Sequence, residues 1–402
     1  MAPSGEETGT GPSWAVVGNP DNRRVRLFAE AVRQAGGAPP RLVPWREVLR
    51  EGGADFGPEE LVRLDSPGED PEVDHLLRGV DDPTRVEGTA RWYANFLRAV
   101  ASLRGGRRLD EPAELQELFD KRRCHARLAE ADVPVPFSPT SAGPDAPPVR
   151  DWSDVRTLMR DAGVARFFVK PAHGSSASGV LAVETAGAGR IRATTSVERA
   201  PDGRLYNSLR LSRLTREREI GALVDRLTPD GLHLERWWPK GSLDGGAADL
   251  RVVVVAGRAT HAVVRTSRGP MTNLHLGGRR GDLARARAAA GDHWAEALAV
   301  CERAAARFPG TLCVGVDLLP STDWRRFAVG EVNAFGDLLP GLTGLPGGGA
   351  EGRDTYAAQV AAASRFRAGA PTPSAAARWA PDSVHPRVPL APGRSRRSHA
   401  PA

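Results

Sequence analysis

The chain has 402 residues, with 55 basic and 49 acidic side chains, a formal charge of +6 and a sequence pI near 9.8, so it can bury a large core divided over two or three domains. No apolar run approaches the roughly 20 residues of a membrane span, and MAPSGEETGTGPS has no basic region followed by an apolar one, which predicts a cytoplasmic protein with no membrane partner. Three scattered cysteines (Cys124, Cys301, Cys313) argue against a disulfide framework and a zinc site, and basic residues interleaved with acids argue against nucleic acid as a partner.

Residues 1–12 read as a disordered arm. Trp14 to Gly18 is a short apolar strand ending in GNP, and Asp21 to Ala35 follows with Val25, Phe28, Ala29 and Val32 at helical spacing. Arg41 to Pro44 and Leu61 to Leu64 read as strands, Pro71 to Val80 and Gly88 to Leu103 as helices. Residues 13–110 therefore predict a small α/β domain with a partly parallel sheet. The GNPDNRR turn lacks G-x-G-x-x-G spacing, which argues against a dinucleotide site.

Glu111 to Ala131 predicts one or two helices, with Pro112 suited to a first helical position and Asp120 to a cap. A helix near Asp151 to Ala162 precedes RFFVKPAHGSSASGVLAVE, where a strand ends on Lys170-Pro171 and a small-residue loop leads to a second strand. Backbone N–H groups and serine hydroxyls of such a loop can form an anion nest, with Lys170 as a point charge. An ordinary hairpin with a solvated lysine is the alternative. Only Lys121, Lys170 and Lys240 are lysines, so each ammonium stands where arginine was not used.

Arg190 to Val197 and Arg204 to Leu209 read as paired strands, Thr215 to Leu227 as a helix, and Leu232 to Trp238 as a strand ending in two tryptophans that either flank a purine or belong to the core. Asp249 to Ala256 and Ala259 to Arg265 form a hairpin that carries Arg251 and Arg265. TNLHLGG follows as a loop, then a long helix or helix pair from Asp282 to Arg307 with Trp294, Leu298 and Cys301 on one face.

TLCVGVDLLPSTDWRRFAVGEVN reads as a second hairpin. With its turn centred near Trp324, Asp317 lies opposite Glu331, and the period of two puts Asn333 on the same face. Carboxylates directly across a ladder repel, so this is either a solvated hairpin or a site for a hard cation shared with a substrate phosphate. A last helix spans Arg353 to Phe366, and residues 367–402, rich in Pro, Ala and Arg, read as disordered.

The order DK, VKP with GSSASGV, ERWW, DLR, an Arg, NLHLGG, GVD and EVN resembles the ATP-grasp superfamily over about residues 110–345. The middle region is most similar to the RimK and glutathione synthetase type, while VKPAHGSSASGV also looks like the D-alanine–D-alanine ligase loop. The resemblance implies an α/β (α+β) fold in which two α+β subdomains, about 111–230 and 231–366, clasp ATP after a pre-ATP-grasp domain. It places Lys121, Lys170, Gly174, Ser175, Ser176, Ser178, Asp249 and Asn273 around the nucleotide and Glu235, Arg236, Trp237 and Trp238 in the hinge that reads adenine. Asp317, Glu331 and Asn333 match the metal ligands, for one or two Mg²⁺ ions or Mn²⁺, and Arg251 and Arg265 the catalytic arginines. The implied activity is ATP-dependent joining of a carboxylate or peptide to an amine or thiol. A small-molecule kinase and a nucleotide-binding protein without turnover compete with it, and self-association as a homo-oligomer is left open. EVNAFGDLLPGL departs from the family pattern in lacking the small-Pro-Gly after EVN.

Overall fold

Trp14–Gly18 (β1) is buried at every residue, as a strand covered on both faces must be. The chain turns into Arg23–Gln34 (α1), where the Asn22 side chain caps the first turn and Val25, Phe28, Ala31 and Val32 are buried. Arg41–Pro44 (β2), Ala54–Leu64 (β3) and Leu103–Arg108 (β4) complete a sheet of order β2-β1-β3-β4 in which every pair is parallel. Trp45–Glu51 (α2), Pro71–Arg78 (α3) and Thr89–Ala101 (α4) form the connections. The sheet is thus wholly parallel rather than partly so. The computed structural model describes residues 12–141, 146–174, 177–187, 189–335, 339 and 341–366, the side chain of His275 excepted. The two segments expected to be disordered lie outside these residues except for Pro12.

Three differences from the expected elements have local causes. Helix α2 starts directly after Pro44, and its first residue, Trp45, is fully buried and donates its indole N–H to Asp65 O at 2.8 Å. Strand β3 begins at Ala54, and its pairing with β4 is interrupted between Phe56 and Leu61, where Gly57 and Pro58 sit. Strand β4 is LRGGRR, an edge strand whose glycines hide it from any apolar alternation.

Pro112–Leu118 (α5) and Lys121–Ala129 (α6) follow, with Pro112 in the first turn of one and Asp120 capping the other, as expected. Trp152–Asp161 (α7) and Glu217–Leu227 (α8) cover an antiparallel sheet of order β8-β7-β6-β5-β9. Its strands are Arg166–Pro171 (β5), Leu181–Ala186 (β6), Arg190–Arg199 (β7), Leu205–Leu214 (β8) and Leu232–Arg236 (β9). Phe167, Val169, Leu232 and Leu234 pack with Val155, Met159, Ile220 and Val224 of the helices. The period of two then turns Phe168, Lys170, His233 and Glu235 to the opposite face.

The third sheet has order β13-β12-β11-β14-β15, with Ser242–Leu243 (β10) added to β11. Its strands are Gly246–Val255 (β11), Arg258–Ser267 (β12), Arg279–Gly281 (β13), Cys313–Pro320 (β14) and Phe327–Ala334 (β15). Leu283–Ala290 (α9) and Trp294–Ala305 (α10) are the expected helix pair, broken at Gly291. Ala297, Val300 and Cys301 pack on Leu250, Val252, Val316 and Val332, which leaves the alternate residues of β11, β14 and β15 for the other face. Thr355–Ala363 (α11) packs against α1, β11 and β12, where Tyr356 joins Trp14, Phe28, Val253 and Val263 in one apolar cluster. Among the described residues no helix is long and apolar enough to cross a membrane.

Candidate active site

The β14–β15 hairpin has the register read from the sequence, with Asp317 opposite Glu331 and Gly315 opposite Asn333. The route to it differs. Trp324 adopts a left-handed conformation in a turn one residue tighter than expected, so the outer ladder pairs Leu318 with Val329. A regular ladder from there would set Glu331 against Val316, on the core face. A β-bulge between Asp317 and Leu318 leaves Gly330 as the extra residue and returns Glu331 and Asn333 to the side of Asp317. A residue count cannot show a bulge, though a glycine inside an apolar strand is its usual sign.

The face so formed is charged. Asp249 pairs with Arg265 and Arg251 with Asp317 in the ladders of β11. Arg251 grips Asp317 with two bonds, Nε to Oδ1 at 2.5 Å and Nη2 to Oδ2 at 3.1 Å, and Arg265 Nη2 reaches the same Oδ1 at 2.9 Å. Burial works to raise the Asp317 carboxyl, but Arg251 and then Arg265 outweigh it and hold the group at about 2. Arg265 Nε also donates to Asp249 Oδ1 at 2.7 Å, and the Thr272 hydroxyl donates to Asp249 Oδ2.

All three lysines stand in this neighbourhood, each against a carboxylate. Lys121, the first residue of α6, contacts Glu331 Oε1 at 2.7 Å and donates to the Gly174 carbonyl at the root of the Gly-Ser loop. Lys170 donates to Glu235 Oε2 at 2.9 Å from the neighbouring strand. Burial opposes its charge, yet Glu235 and then Glu331 raise it above the usual lysine range. Lys240 donates to Thr272 Oγ1 at 3.0 Å and lies 3.5 Å from Asp249 Oδ2, and burial pulls its ammonium below the usual range. Lys240 and Thr272 were not among the expected site residues. The scarcity of lysine was the signal that marked Lys240.

A cavity of about 980 Å³ opens beside Lys240 and is lined by Phe168, Arg236, Trp237 and Trp238. Strand β9 ends at Arg236, so both tryptophans lie beyond it rather than within it. Trp237 stacks on Phe168 with ring centroids 5.1 Å apart, and the two buried indole N–H groups find no acceptor among the described residues. The acid set of β14 and β15 is not part of this lining. Asn273 sits in the loop before a 3₁₀ turn, where its carbonyl accepts from Leu276 and Gly278, and Ser178 lies in the turn leading to β6. Ser175 and Ser176 fall outside the described residues, as do Gly336, Asp337, Leu338 and Pro340 of the departing loop.

No group of three or more His, Cys, Asp or Glu side chains able to hold a metal occurs among the described residues. Asp317, Glu331 and Asn333 offer instead two carboxylates and an amide, and the Asn333 amide nitrogen is spent on Gly315 O at 3.2 Å. That hard-oxygen set fits Mg²⁺, which keeps several ligands from water and phosphate. Lone carboxylates facing one another would not be held there without cations, and in this structure Arg251, Arg265 and Lys121 supply them.

No family model matches the chain, and no curated protein matches it. Among solved structures, that of the D-cycloserine synthetase DcsG aligns at 17% identity over 88% of this chain and 99% of its own, with a TM-score of 0.52. Lower scores, 0.48 in each case, come from the ATP-grasp ligase PsnB complexed with minimal precursor, at 18% identity over 89% and 100% of the chains, and from the macrocyclase MdnC of Microcystis aeruginosa MRC bound with precursor peptide MdnA, at 12% over 88% and 99%. The chain has the ATP-grasp fold. On that fold, Lys170 and Glu235 lie on one antiparallel sheet, Asp249, Arg251, Arg265, Asp317, Glu331 and Asn333 on the other, and Lys121 on α6, while Gly174, Ser178 and Asn273 lie in loops and Arg236, Trp237 and Trp238 at the segment that joins the sheets.

Proposed function

We propose that the chain is an ATP- and Mg²⁺-dependent ligase that joins a substrate carboxylate to an amine or thiol through an acylphosphate. The observation that carries this reading is the convergence of all three lysines, each ion-paired, on the cleft that holds the Asp317–Glu331 pair. A polyphosphate would replace Glu331, Glu235 and Asp249 as the partner of those ammonium groups, and Trp237 and Trp238 would line the adenine end. Asp317, Glu331 and Asn333 would hold Mg²⁺, which supplies a Lewis acid for the phosphate oxygens. Arg251 and Arg265 stand beside that set, anchored by Asp317 and Asp249, where they would neutralise the charge of a transferring phosphoryl group.

The substrate carboxylate attacks the γ-phosphorus and ADP leaves. The amine nitrogen then attacks the acyl carbon, phosphate departs, and the nitrogen loses its proton. No protein nucleophile is required, which agrees with three buried thiols, of which Cys124 is pushed up to about 12 by burial. ADP and phosphate release should be screened against pooled amino acids, peptides and small carboxylates, with mass spectrometry of the hits. The expected result is free phosphate with an amide or thioester product; phosphate left on the acceptor would mean a kinase. Turnover that survives Asp317→Asn together with Glu331→Gln would refute the metal assignment.

A further inference from the structure

The cleft face of β9 carries a polar cluster that the proposed reaction leaves unused. His233 is 2% exposed and sits directly opposite Lys170 in the β5–β9 ladder. Its Nδ1 faces three hydroxyls, Ser141 Oγ at 3.3 Å, Thr140 Oγ1 at 3.4 Å and Ser138 Oγ at 3.5 Å. Its Nε2 lies 3.6 Å from Glu235 Oε2, the oxygen that accepts from Lys170.

The partners fix the tautomer. A carboxylate oxygen can only accept, so the ring proton belongs on Nε2. Thr140 Oγ1 already accepts the Leu234 N–H at 2.9 Å, which leaves its own proton to be donated to Nδ1. The nearby His125 ring, 5.4 Å away, donates Nε2–H to Pro136 O at 2.6 Å, and both rings are held neutral by burial, His233 at about 4.

Glu235 is 5% exposed at its side chain, and one ammonium is little for a buried carboxylate. If phosphate draws Lys170 away, as the ATP reading requires, the donor left to Glu235 among the described residues is His233. We propose that His233 is a positioning residue, whose Nε2–H, oriented by the Ser138–Thr140–Ser141 hydroxyls, holds the Glu235 carboxylate in place and so leaves Lys170 free to turn to the nucleotide phosphates. The inference rests on the nucleotide reading of Lys170 and deepens it. The hydroxyls come from a Pro-interrupted connection, PFSPTS, that no catalytic motif marks.

Two measurements test it. Calorimetry of Mg-ATP with the full chain should give about ten-fold weaker binding for His233→Leu, while His233→Gln, whose side-chain amide can replace the Nε2–H donor, stays within about two-fold of wild type. In a Glu235→Gln background the His233→Leu change should add nothing. Equal binding by folded His233→Leu, or an undiminished loss in the Glu235→Gln background, overturns the proposal. Nitrogen NMR of the imidazole needs no ligand: the Nε2–H tautomer near neutral pH is expected, and Nδ1–H overturns the link to Glu235. Absence of Mg-ATP binding by the wild type would overturn the nucleotide reading and the release of Lys170, while the tautomer would still decide whether His233 holds Glu235.

Discussion

The Lys170–Glu235 pair allows a quantitative test of whether the cleft stores charge in a form that a ligand can use. The side chains are 15% and 5% exposed and 2.9 Å apart. Burial works to raise the Glu235 carboxyl, but Lys170 and then His233 bring it from 4.5 to about 2, equivalent to about 3 kcal/mol. Lys170→Met leaves a buried carboxylate whose remaining side-chain partner among the described residues is the neutral His233, and Glu235→Gln leaves a buried ammonium. Each should cost about 3 to 5 kcal/mol, whereas the double variant should recover most of the loss, with a coupling of about 2 to 3 kcal/mol. Urea unfolding followed by tryptophan fluorescence measures all four corners. Because the folded carboxyl titrates below the unfolded one, its contribution is complete above about pH 4.5 and is lost as pH falls toward 2. Wild type should therefore lose stability over that range by more than Glu235→Gln does. Single variants within about 0.5 kcal/mol of wild type, or additive losses in the double variant, would refute the reasoning.

Two further outcomes follow from the same geometry. Lys240→Met should change unfolding stability by less than about 1 kcal/mol, because Asp249 keeps Arg265 and Thr272, while Mg-ATP affinity falls about ten-fold; calorimetry beside urea unfolding separates the two effects. Thiol titration of the native chain should find Cys124, Cys301 and Cys313 unreactive, each at most 5% exposed, and all three reactive in urea.

The faces of the strands were legible because side-chain alternation is a local property. DLRVVVVA, ATHAVVR and GVDLLP state which residues share a side before any pairing is known, whereas Asp317 comes opposite Glu331 through a bulge at Gly330 that offsets a turn one residue tighter than expected. What the sequence could not state were the contacts that depend on where distant segments stop. Lys240 meets Thr272 and Asp249 only because β10 folds the segment after the hinge onto β11. His233 meets its hydroxyls only because residues 138–141 lie along β9, a neighbour chosen by three-dimensional packing. Strands β4 and β8 were missed or shortened for another reason. Both are edge strands: β4 carries two glycines and three arginines, and β8 leaves Leu209 and most of its side chains unburied, so backbone pairing forms them without a buried apolar face to announce it.

The arginines and lysines of the cleft divide the work by geometry. Arg251 and Arg265 are bound through planar forks to Asp317 and Asp249 on their own sheet, so moving either would break two bonds at once. Such groups suit a fixed electrostatic wall. Each lysine instead presents a single ammonium: Lys121 from α6 to the carbonyl of Gly174 and to Glu331, Lys240 from the hinge side to Thr272 and Asp249, Lys170 to Glu235. An ammonium on a flexible stem can exchange one oxygen for another without reorienting a plane. On the proposed function, a cleft that holds carboxylates when empty and phosphates when filled needs donors of this second kind. A chain that otherwise uses arginine for its positive charge keeps lysine at these three positions alone. On that proposal the ion pairs are placeholders, each carboxylate holding open a position that a phosphate oxygen would take.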